Sequence, residues 1–449
     1  MIIDANKLTE LIKTKRDYTL RTLDQTTYRI GNNAGIFVER PKPAPDYRVP
    51  VPFIRRSIEL KKGYLVKPGN ILYKNLDDEI QDIYNQNDEQ LKTAKMFEGC
   101  LTYGRSFELH WFQEGNGPRF APLPIDQSIP IYSDDLEPDL IGFIWHRMDQ
   151  EGNELATYYD NTHYTHFLKA KGQSEWQLVP EKTGPHIYGQ VPVLEATTNC
   201  DKLNSFDHVL PLVDLYDRVL SQDVANELHR FANAYLLLAD KINDVTTDDA
   251  GRTMIDRLKE IKIFDGLGDR SVRDSIAYLE RNVNNTFIEA TLDRVERLIY
   301  EMLNTPNPND DSFATASGIA QAWKMLGANL DAANMEGYFS LFLFDRIRLL
   351  SALFSNLQSA VENADDVTIE FKRTEPHNLL ELAQIAAMLK GTLSDETIIG
   401  IFPADIVPDV QEEIARLKES MGGLFDDAPT DGDGSAEDME DDTAQEPTE

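Results

Sequence analysis

Cysteine is scarce in this chain, with only Cys100 and Cys200 among 449 residues. Two thiols cannot form a disulfide framework, so we expect a fold held by packing in a reducing interior. Long apolar runs are also lacking, since those at 235–239 and 341–344 are far too short to cross a bilayer. The first four residues have neither the basic nor the apolar region of a signal peptide. The sequence therefore predicts no membrane partner.

The motifs of common enzyme classes are missing as well. No Gly-Lys dipeptide occurs, which excludes a P-loop, and neither His-Glu-x-x-His nor Gly-x-Ser-x-Gly is present. His163 and His166 are three apart in a strand-like segment, where they would point to opposite faces as an ordinary surface pair. A calcium loop from Asp431 would need glycine where Ala436 stands. We therefore predict no catalytic residue, no cofactor and no metal site.

Positive charge is in short supply. The chain has 44 Lys and Arg against 77 Asp and Glu, a formal net charge of −33. Gripping phosphates needs clustered Lys and Arg, so this composition argues against a DNA-binding module, although DNA could slide past such a surface without sticking. Residues 426–449 hold eleven acidic residues and no basic one. We expect this tail to be disordered, either as a solubilising end or as a docking tail for a basic partner.

The sequence pattern predicts a large amount of α-helix. From Thr286, with Glu289 at capping-box spacing, apolar residues recur every three or four positions until Pro306 and Pro308 end the pattern. After a polar loop, a second helix is predicted from Ser317 to about 362, which is roughly 60 Å long at 1.5 Å per residue. Helices of this length are more typical of an assembly than of an active site.

The long second helix carries more specific expectations. Gly327 and Gly337 are predicted bend points, because glycine weakens a helix interior. Trp323 is expected in a core. Over residues 338–354 the helix is apolar nearly all round, so this half should be deeply buried.

Further helices are predicted over residues 4–30, 53–63 and 76–99, and for some thirty residues from 207. On the helix at 76–99, Leu91 should face inward. Shorter helices are expected over 379–389, ending at Gly391, and from Asp409 to Gly422. On the first helix, the residues expected to face inward are Leu8, Leu11, Ile12, Leu20 and Leu23.

Period-two patterning with short links predicts an antiparallel meander over about 100–195. Within it, Phe107, Leu109 and Trp111 alternate with Glu108 and His110, as on a strand with one solvent face. A later strand at 367–371 is expected to pair with this earlier sheet. The fold class is therefore α+β.

Two polar clusters leave their interpretation open. Asp310 and Asp311 lie in the loop between the two long helices, where a solvated turn is the plain alternative to a functional one. Basic residues gather in the small lobe at 245–284, either in ordinary surface pairs or as a docking face for an acidic partner. They are Lys259, Lys262, Arg270 and Arg273.

The order of these parts resembles the siphophage-type portal protein of tailed double-stranded-DNA bacteriophages, over residues 10 to 420. No single motif is diagnostic, and the shared order carries the likeness. The stretches concerned are Arg48-Val49-Pro50-Val51-Pro52-Phe53 with Arg56 and Gly63-Tyr64; Tyr103-Gly104-Arg105-Ser106-Phe107-Glu108-Leu109; Leu298-Ile299-Tyr300 with Thr305-Pro306 and Ser317-Gly318-Ile319-Ala320; and Ile369-Glu370-Phe371 with Pro376, Glu381 and Ser394-Asp395-Glu396-Thr397.

The resemblance implies a portal fold in a ring-shaped homo-oligomer. Residues 1–206 would form a mixed α/β wing, to which residues 317–376 return. The stem would consist of one helix at 207–244 and a second stem helix at 285–304, with a clip lobe at 245–284 between them. A tunnel loop at 305–316, a long kinked tunnel and wing helix at 317–362, a helical crown at 377–425 and the acidic tail at 426–449 would follow. The tunnel-loop residues implied to face DNA are Asn307, Asn309, Asp310, Asp311 and Ser312. The clip residues implied to dock terminase or an adaptor are Lys259, Lys262, Arg270 and Arg273.

The implied function is a ring, typically a dodecamer, at one capsid vertex of the virion, assembled in the host cytoplasm. It would pass DNA during packaging and ejection without sequence specificity, and it would meet the large terminase subunit, a head-tail adaptor, and the major capsid and scaffold proteins. The packaging ATPase would be the terminase, in agreement with the missing P-loop. Two other classes stay open from the residues alone: an intracellular hydrolase using paired carboxylates and a metal, and an acidic scaffold or adaptor acting through its tail.

Overall fold

A computed structural model describes residues 3–36, 48–221, 236–238, 263–265, 276–278, 285–307, 318–357, 366–373, 379–402, 406–407 and 410–422. The chain forms two compact units, Met1–Thr374 and Glu375–Glu449. The predicted mixture of helices and strands is confirmed. No helix within the described ranges is both long and apolar enough to span a bilayer.

The α-helices of the described residues are α1 (Ala5–Ile30), α2 (Phe53–Leu65), α3 (Asp78–Gln86), α4 (Glu89–Tyr103), α5 (Leu210–Val219), α6 (Asn285–Met302), α7 (Gly318–Asn356), α8 (Leu379–Leu389), α9 (Asp395–Ile399) and α10 (Val410–Gly422). The strands are β1 (Ile71–Lys74), β2 (Arg105–Gln113), β3 (Gly117–Leu123), β4 (Ser128–Tyr132), β5 (Leu140–Met148), β6 (Glu154–Tyr159), β7 (His163–Lys169), β8 (Gln177–Leu178), β9 (Gly184–Pro185), β10 (Val193–Thr197), β11 (Leu236–Leu238), β12 (Ile263–Asp265), β13 (Ile276–Tyr278) and β14 (Thr368–Phe371).

The first helix is a single rod with defined ends. The Asp4 side chain accepts a hydrogen bond from Lys7 N at its start, and Gly31, with a φ of 82°, ends it. Leu8 is buried as predicted. The prediction for Leu20 and Leu23 is wrong, since both are exposed, because α1 turns the opposite face, with Thr22, Gln25 and Tyr28, toward the subunit core.

Two helix boundaries differ from prediction. α2 continues for two residues past Gly63 to Leu65, whose side chain is buried in the core. The helix predicted over 76–99 is two helices, α3 and α4, separated by Asp88 with a φ of 51°. Leu91, predicted to face inward, is exposed.

The strands between 105 and 197 pair antiparallel, as predicted, but they form two sheets rather than one meander. One sheet has the order β10-β2-β3. The other runs β4-β5-β6-β7-β8, with β9 also pairing with β7. The N-terminal half of α1 packs on this second sheet, where Leu8 meets Ile129 and Ile144 in one apolar cluster.

The late strand β14 does not join either sheet. It pairs antiparallel with β1, a strand that the sequence analysis did not identify, with Ile71 opposite Phe371. The predicted partner was therefore wrong. Four-residue strands carry too few alternating positions to be recognised by period alone. The pairing still joins distant parts of the chain in one unit.

The long helix α7 spans 39 residues without interruption at Gly327 or Gly337. Its second half is buried as predicted, through Phe339, Phe342 and Leu350 among others, although Leu341 is exposed. Trp323 is exposed as well, so its predicted core position is wrong.

The predicted first stem helix begins as α5, and a helical turn continues at 220–221, where this described range ends. Residues 236–238, expected to be helical, form β11. This strand pairs parallel with β12 and antiparallel with β13. A three-leucine run has no period of its own, so pattern could not separate strand from helix there. The second stem helix, α6, agrees closely with its predicted span.

The C-terminal unit is helical, as predicted for 377–425. α8 is followed by Gly391 with a φ of 91°, and Ser394 caps α9 by accepting from Thr397 N. α10 ends at Gly422. Its predicted cap, Asp409, and the tail at 426–449 lie outside the described residues.

Candidate functional site

The structure describes one residue predicted to act, Asn307. Its Nδ2 donates a hydrogen bond to Glu296 Oε1 of α6 at 3.4 Å. Beyond the described ranges lie Asn309, Asp310, Asp311 and Ser312 of the tunnel loop and Lys259, Lys262, Arg270 and Arg273 of the clip. Residues 48–65, 210–221 and 285–307 are the described residues next to these predicted sites, and we call them the stem base.

One aromatic residue packs against both predicted stem helices, α5 and α6. Phe53, the first residue of α2, meets the ring of Tyr216 on α5 edge-on at 5.0 Å between centroids. It meets Tyr300 on α6 in the same way at 5.8 Å. Edge-to-face pairs at these distances are favourable beyond the area they bury. α2 therefore sets the spacing of α5 and α6.

The first residue of the predicted tunnel loop, which follows α6, is hydrogen-bonded to α2. Asn304, with a φ of 50°, turns the chain out of α6. The next residue, Thr305, is buried. Thr305 Oγ1 donates to Leu303 O at 3.1 Å and accepts from Ser57 Oγ of α2 at 2.9 Å. This pairing of buried hydroxyls ties the end of the second stem helix to α2.

The helix that follows the loop is tied to the same element. Lys61 Nζ lies 2.8 Å from Asp331 Oδ2 of α7. One turn on, the Tyr64 hydroxyl donates to Asn329 Oδ1. α2 thus contacts the chain on both sides of the predicted tunnel loop, at Thr305 before it and at Asn329 and Asp331 after it.

The first stem helix is held by a buried carboxylate. Asp217 of α5 accepts hydrogen bonds from Asn33 Nδ2 and, at 2.9 Å, from Val51 N. Ser221 Oγ accepts from Val49 N at 2.9 Å. Burial raises the pKa of Asp217 to about 6, although the two hydrogen bonds act in the opposite direction. The extended segment at 48–52 is thereby fixed along α5.

A second buried network joins α7 to α4 and β2. Arg346 is fully buried and donates from Nε and Nη2 to the two carboxylate oxygens of Glu108 on β2, each at 2.8 Å. Its Nη1 donates to Glu89 Oε1 at 2.8 Å and to Thr93 Oγ1 at 2.7 Å, both on α4. His110 Nε2 is 3.0 Å from Glu108 Oε1. We call these five residues the Arg346 cluster.

The charges in this cluster support one another. Burial alone raises the pKa of Glu108, but the adjacent Arg346 guanidinium and His110 outweigh it and lower that pKa to about 2. Burial lowers the pKa of His110, which keeps its ring neutral at pH 7. The bidentate geometry fixes both the rotation of α7 and its position along β2.

Sequence reasoning missed this cluster and Asp217. Alternation placed Glu108 and His110 on a solvent face of β2, but both are buried, because the strand is covered on both sides. Phe107 meets Phe143 of the second sheet at 5.3 Å, and Arg346 reaches Glu108 from the other side. The sequence signal was weak, because Arg346 is one of three charged residues in this apolar stretch, with Asp345 and Arg348, and only the structure shows that it alone is buried.

The described residues offer anchoring rather than chemistry. No group of three or more His, Cys, Asp or Glu among them is placed to hold a metal ion. His166 Nδ1 lies 2.8 Å from Thr157 Oγ1, while His163 is exposed. Cys100 and Cys200 are free thiols.

Comparison with known proteins identifies the family of this chain. The family model described as phage portal protein, SPP1 Gp6-like, matches residues 3–421. The portal protein of Clostridium phage phiCD119 is 22% identical over 357 residues, which are 76% of each chain. A chain from a solved structure, the neck of an empty GTA particle computed with C6 symmetry, covers 84% of this chain and 91% of its own at 12% identity and a TM-score of 0.38. This protein therefore belongs to the SPP1 Gp6-like family of phage portal proteins, which are structural components of the virion and not enzymes.

Proposed function

We propose that copies of this chain form a ring, a dodecamer as is typical of portal proteins, at one vertex of the capsid. The stem helices α5 and α6 line a channel through which double-stranded DNA enters and leaves without sequence-specific contacts. The clip docks the large terminase subunit during packaging and a head-tail adaptor afterwards. The ring assembles in the host cytoplasm with the capsid and scaffold proteins.

The match of a portal family model to residues 3–421 carries this proposal. The stem base supports it, because both stem helices and the tunnel loop are rooted on α2. A shared point of attachment lets the repeated helices keep one spacing around an axis.

The charge of the chain suits a passage for DNA. A formal net charge of −33 makes the lining repel phosphate rather than bind it. Each like-charge interaction is weak across screening water, but many copies of the chain add up. In the tunnel loop, Asn309 and Ser312 can touch phosphate through neutral groups, whereas Asp310 and Asp311 discourage sticking.

Electron microscopy and native mass spectrometry of the purified protein test the proposal. We expect closed rings with a central hole wide enough for a duplex. A protein that stays monomeric even with its capsid and scaffold proteins present would contradict it. Deleting residues 426–449 separates the conduit from an adaptor that works through its tail: rings should still close without the tail.

Reversing the charge of the tunnel loop should slow DNA translocation. With Asp310→Lys and Asp311→Lys in every subunit, a ring of lysine side chains would face the phosphates and bind the duplex. We expect packaging in vitro to slow several-fold while rings form normally. The charge-neutral pair Asp310→Asn and Asp311→Asn is the control and should slow packaging less. An unchanged packaging rate would show that these residues do not meet DNA.

Reversing the clip charges should weaken docking. We expect Lys259→Glu, Lys262→Glu, Arg270→Glu and Arg273→Glu together to weaken binding of terminase or the adaptor about tenfold or more, because charged interfaces depend on complementary potentials. Binding can be measured by surface plasmon resonance on intact rings. Unaltered binding of both partners would remove this assignment.

A further inference from the structure

The outer side of α7 carries an exposed apolar stripe. Trp323 is 71% exposed and Leu330 is 64% exposed, values that are high for large apolar residues in the middle of a helix. The stripe repeats every three or four residues, so its members share one face at about 100° per residue. Its members are Trp323, Leu326, Leu330, Ala333, Gly337 and Leu341.

This stripe is distinct from the face that packs inside the subunit. Ala332, Met335 and Phe339 are buried, and they lie on the opposite side of the helix, roughly 180° away. α7 is therefore apolar on two opposite sides, and only one side is covered within its own chain. A helix that is apolar on both sides is expected to be buried on both.

A second stripe of the same form lies on α1. Leu23 is 61% exposed and Leu20 is 58% exposed, and Ile30 is exposed as well. With the half-exposed Thr27, these residues have offsets of 0, 3, 7 and 10 along the helix. Trp323, Leu326, Leu330 and Ala333 have the same offsets on α7. Both stripes are two heptads of a seam suited to side-by-side helix packing.

We propose that the α7 stripe of one subunit packs against the α1 stripe of the next subunit in the ring. This inference rests on the ring assembly of the proposed function and names the faces that make it. A ring with more than two members needs two different, complementary patches on each subunit, since a self-complementary patch closes as a dimer. The two stripes provide such a pair on one compact unit.

The size of the two stripes agrees with this pairing. The α1 stripe runs about 15 Å from Leu20 to Ile30, so at a helix width of about 10 Å the two stripes overlap over roughly 150 Å². That is about a fifth of the 800 Å² or so that each partner buries in a typical interface, which suits the apolar centre of a larger contact.

The paired charges at this level of the two helices lie away from the stripes. Arg21 and Arg29 are on the core-facing side of α1 with Gln25, and they pair with Asp207 and Glu98. On α7, Asp331 is turned away from the stripe and pairs with Lys61 of α2. Docking the two stripes therefore does not break these ion pairs.

Leu330→Glu tests the inference in the full-length protein. A carboxylate at the centre of the seam would be buried without a partner, so the fraction of protein in rings should fall at least about tenfold at equal concentration. Because Leu330 is exposed in the single chain, the melting temperature of the subunit should stay nearly unchanged. Leu136→Glu, at a fully exposed loop leucine, is the matched control and should leave rings intact.

Cross-linking tests the same pairing without disturbing it. In a Cys200→Ser background, the double variant Leu23→Cys and Leu330→Cys should give a ladder of multimers with a short bis-maleimide, and each single variant should give none. Dimers from Leu330→Cys alone would mean that the stripe pairs with itself and would overturn the inference. Intact rings that do not cross-link would also overturn the inference. Rings that persist in Leu330→Glu would overturn it as well, because the stripe would then not be buried between subunits. Absence of rings in the wild type would instead count against the proposed function.

Discussion

Replacing Arg346 by methionine should lower the free energy of unfolding by about 3–5 kcal/mol, the usual cost of removing one partner from a buried ion pair. Methionine keeps much of the length and apolar contact of the arginine stem. It removes every N–H that now reaches Glu108, Glu89 and Thr93. Two carboxylates would then lie in the core without their cation. Denaturant unfolding followed by circular dichroism measures the loss.

The neighbouring arginine on the same helix provides the control. Arg348 is largely exposed and lies 3.6 Å from Asp345 one turn away. Exposed pairs of this kind contribute little, so Arg348→Met should cost less than about 1 kcal/mol. Equal small losses in the two variants would mean that the Arg346 cluster does not hold α7 in place.

A compensating variant separates charge from packing. Adding Glu89→Gln and Glu108→Gln to Arg346→Met removes the buried negative charge while keeping the side-chain shapes. We expect much of the lost stability to return, because the larger part of the loss is the uncompensated charge. A loss caused by missing volume alone would not be recovered.

The same cluster illustrates where pattern-based prediction stopped. The alternation along β2 was real, with Phe107 and Leu109 buried on one side. Nothing in a strand of nine residues reveals that its polar side is covered too. That depends on Arg346, which comes 238 residues after Glu108 in the chain. A buried polar network is a property of the tertiary structure, and local period carries no record of it.

Helical periodicity had a complementary weakness. It predicted correctly that α1 and α7 exist and where they begin, since capping residues and long repeats are local signals. It could not say which apolar face meets the same chain. Leu20, Leu23 and Trp323 fit an apolar stripe but are exposed in the single subunit. A face that awaits another subunit has the same pattern as a face that is already buried.

The portal resemblance came from the order of many parts rather than from a catalytic motif, and the family match confirms it. Site residues were harder to predict. Asn307 is described on the stem base, whereas the roles of Asn309, Asp310, Asp311 and Ser312 stay predictions. Asp217 was not foreseen, because one carboxylate among 77 acidic residues has no distinguishing pattern.

Asp217→Asn should remove a pH-dependent part of the stability of the wild-type protein. Burial raises the pKa of Asp217 from its ordinary value of 3.8 to about 6. The folded chain therefore binds a proton between these two values that the unfolded chain releases. The resulting contribution is fully present below pH 3.8 and is lost as the pH rises through about 6. Between pH 5 and pH 7.5 this loss amounts to about 1–2 kcal/mol.

Asparagine suits this position because its neighbours can accommodate a neutral amide. Its Oδ1 can still accept from Val51 N. Its Nδ2 can donate to Asn33 Oδ1, which now makes no hydrogen bond within the described residues, once the Asn33 amide rotates and gives up the bond from its Nδ2 to Val51 O. At pH 7.5 the variant should be as stable as the wild type or more so, since no buried charge is left to solvate. Asp217→Ala should be less stable at every pH, because it leaves the donors of Asn33 and Val51 without their acceptor.

The measurement is the difference in unfolding free energy between the wild type and Asp217→Asn at several pH values from 5 to 7.5. Taking the difference cancels the titration of the many other carboxylates in so acidic a chain. Asp24→Asn, at an exposed position on α1, is the matched control for removing one carboxylate from the chain. A wild-type advantage that stays constant from pH 5 to 7.5 would mean that Asp217 is charged in the fold throughout. An ionised carboxylate would then hold α5, and the contribution of Asp217 to the free energy of unfolding would be the same throughout this pH range.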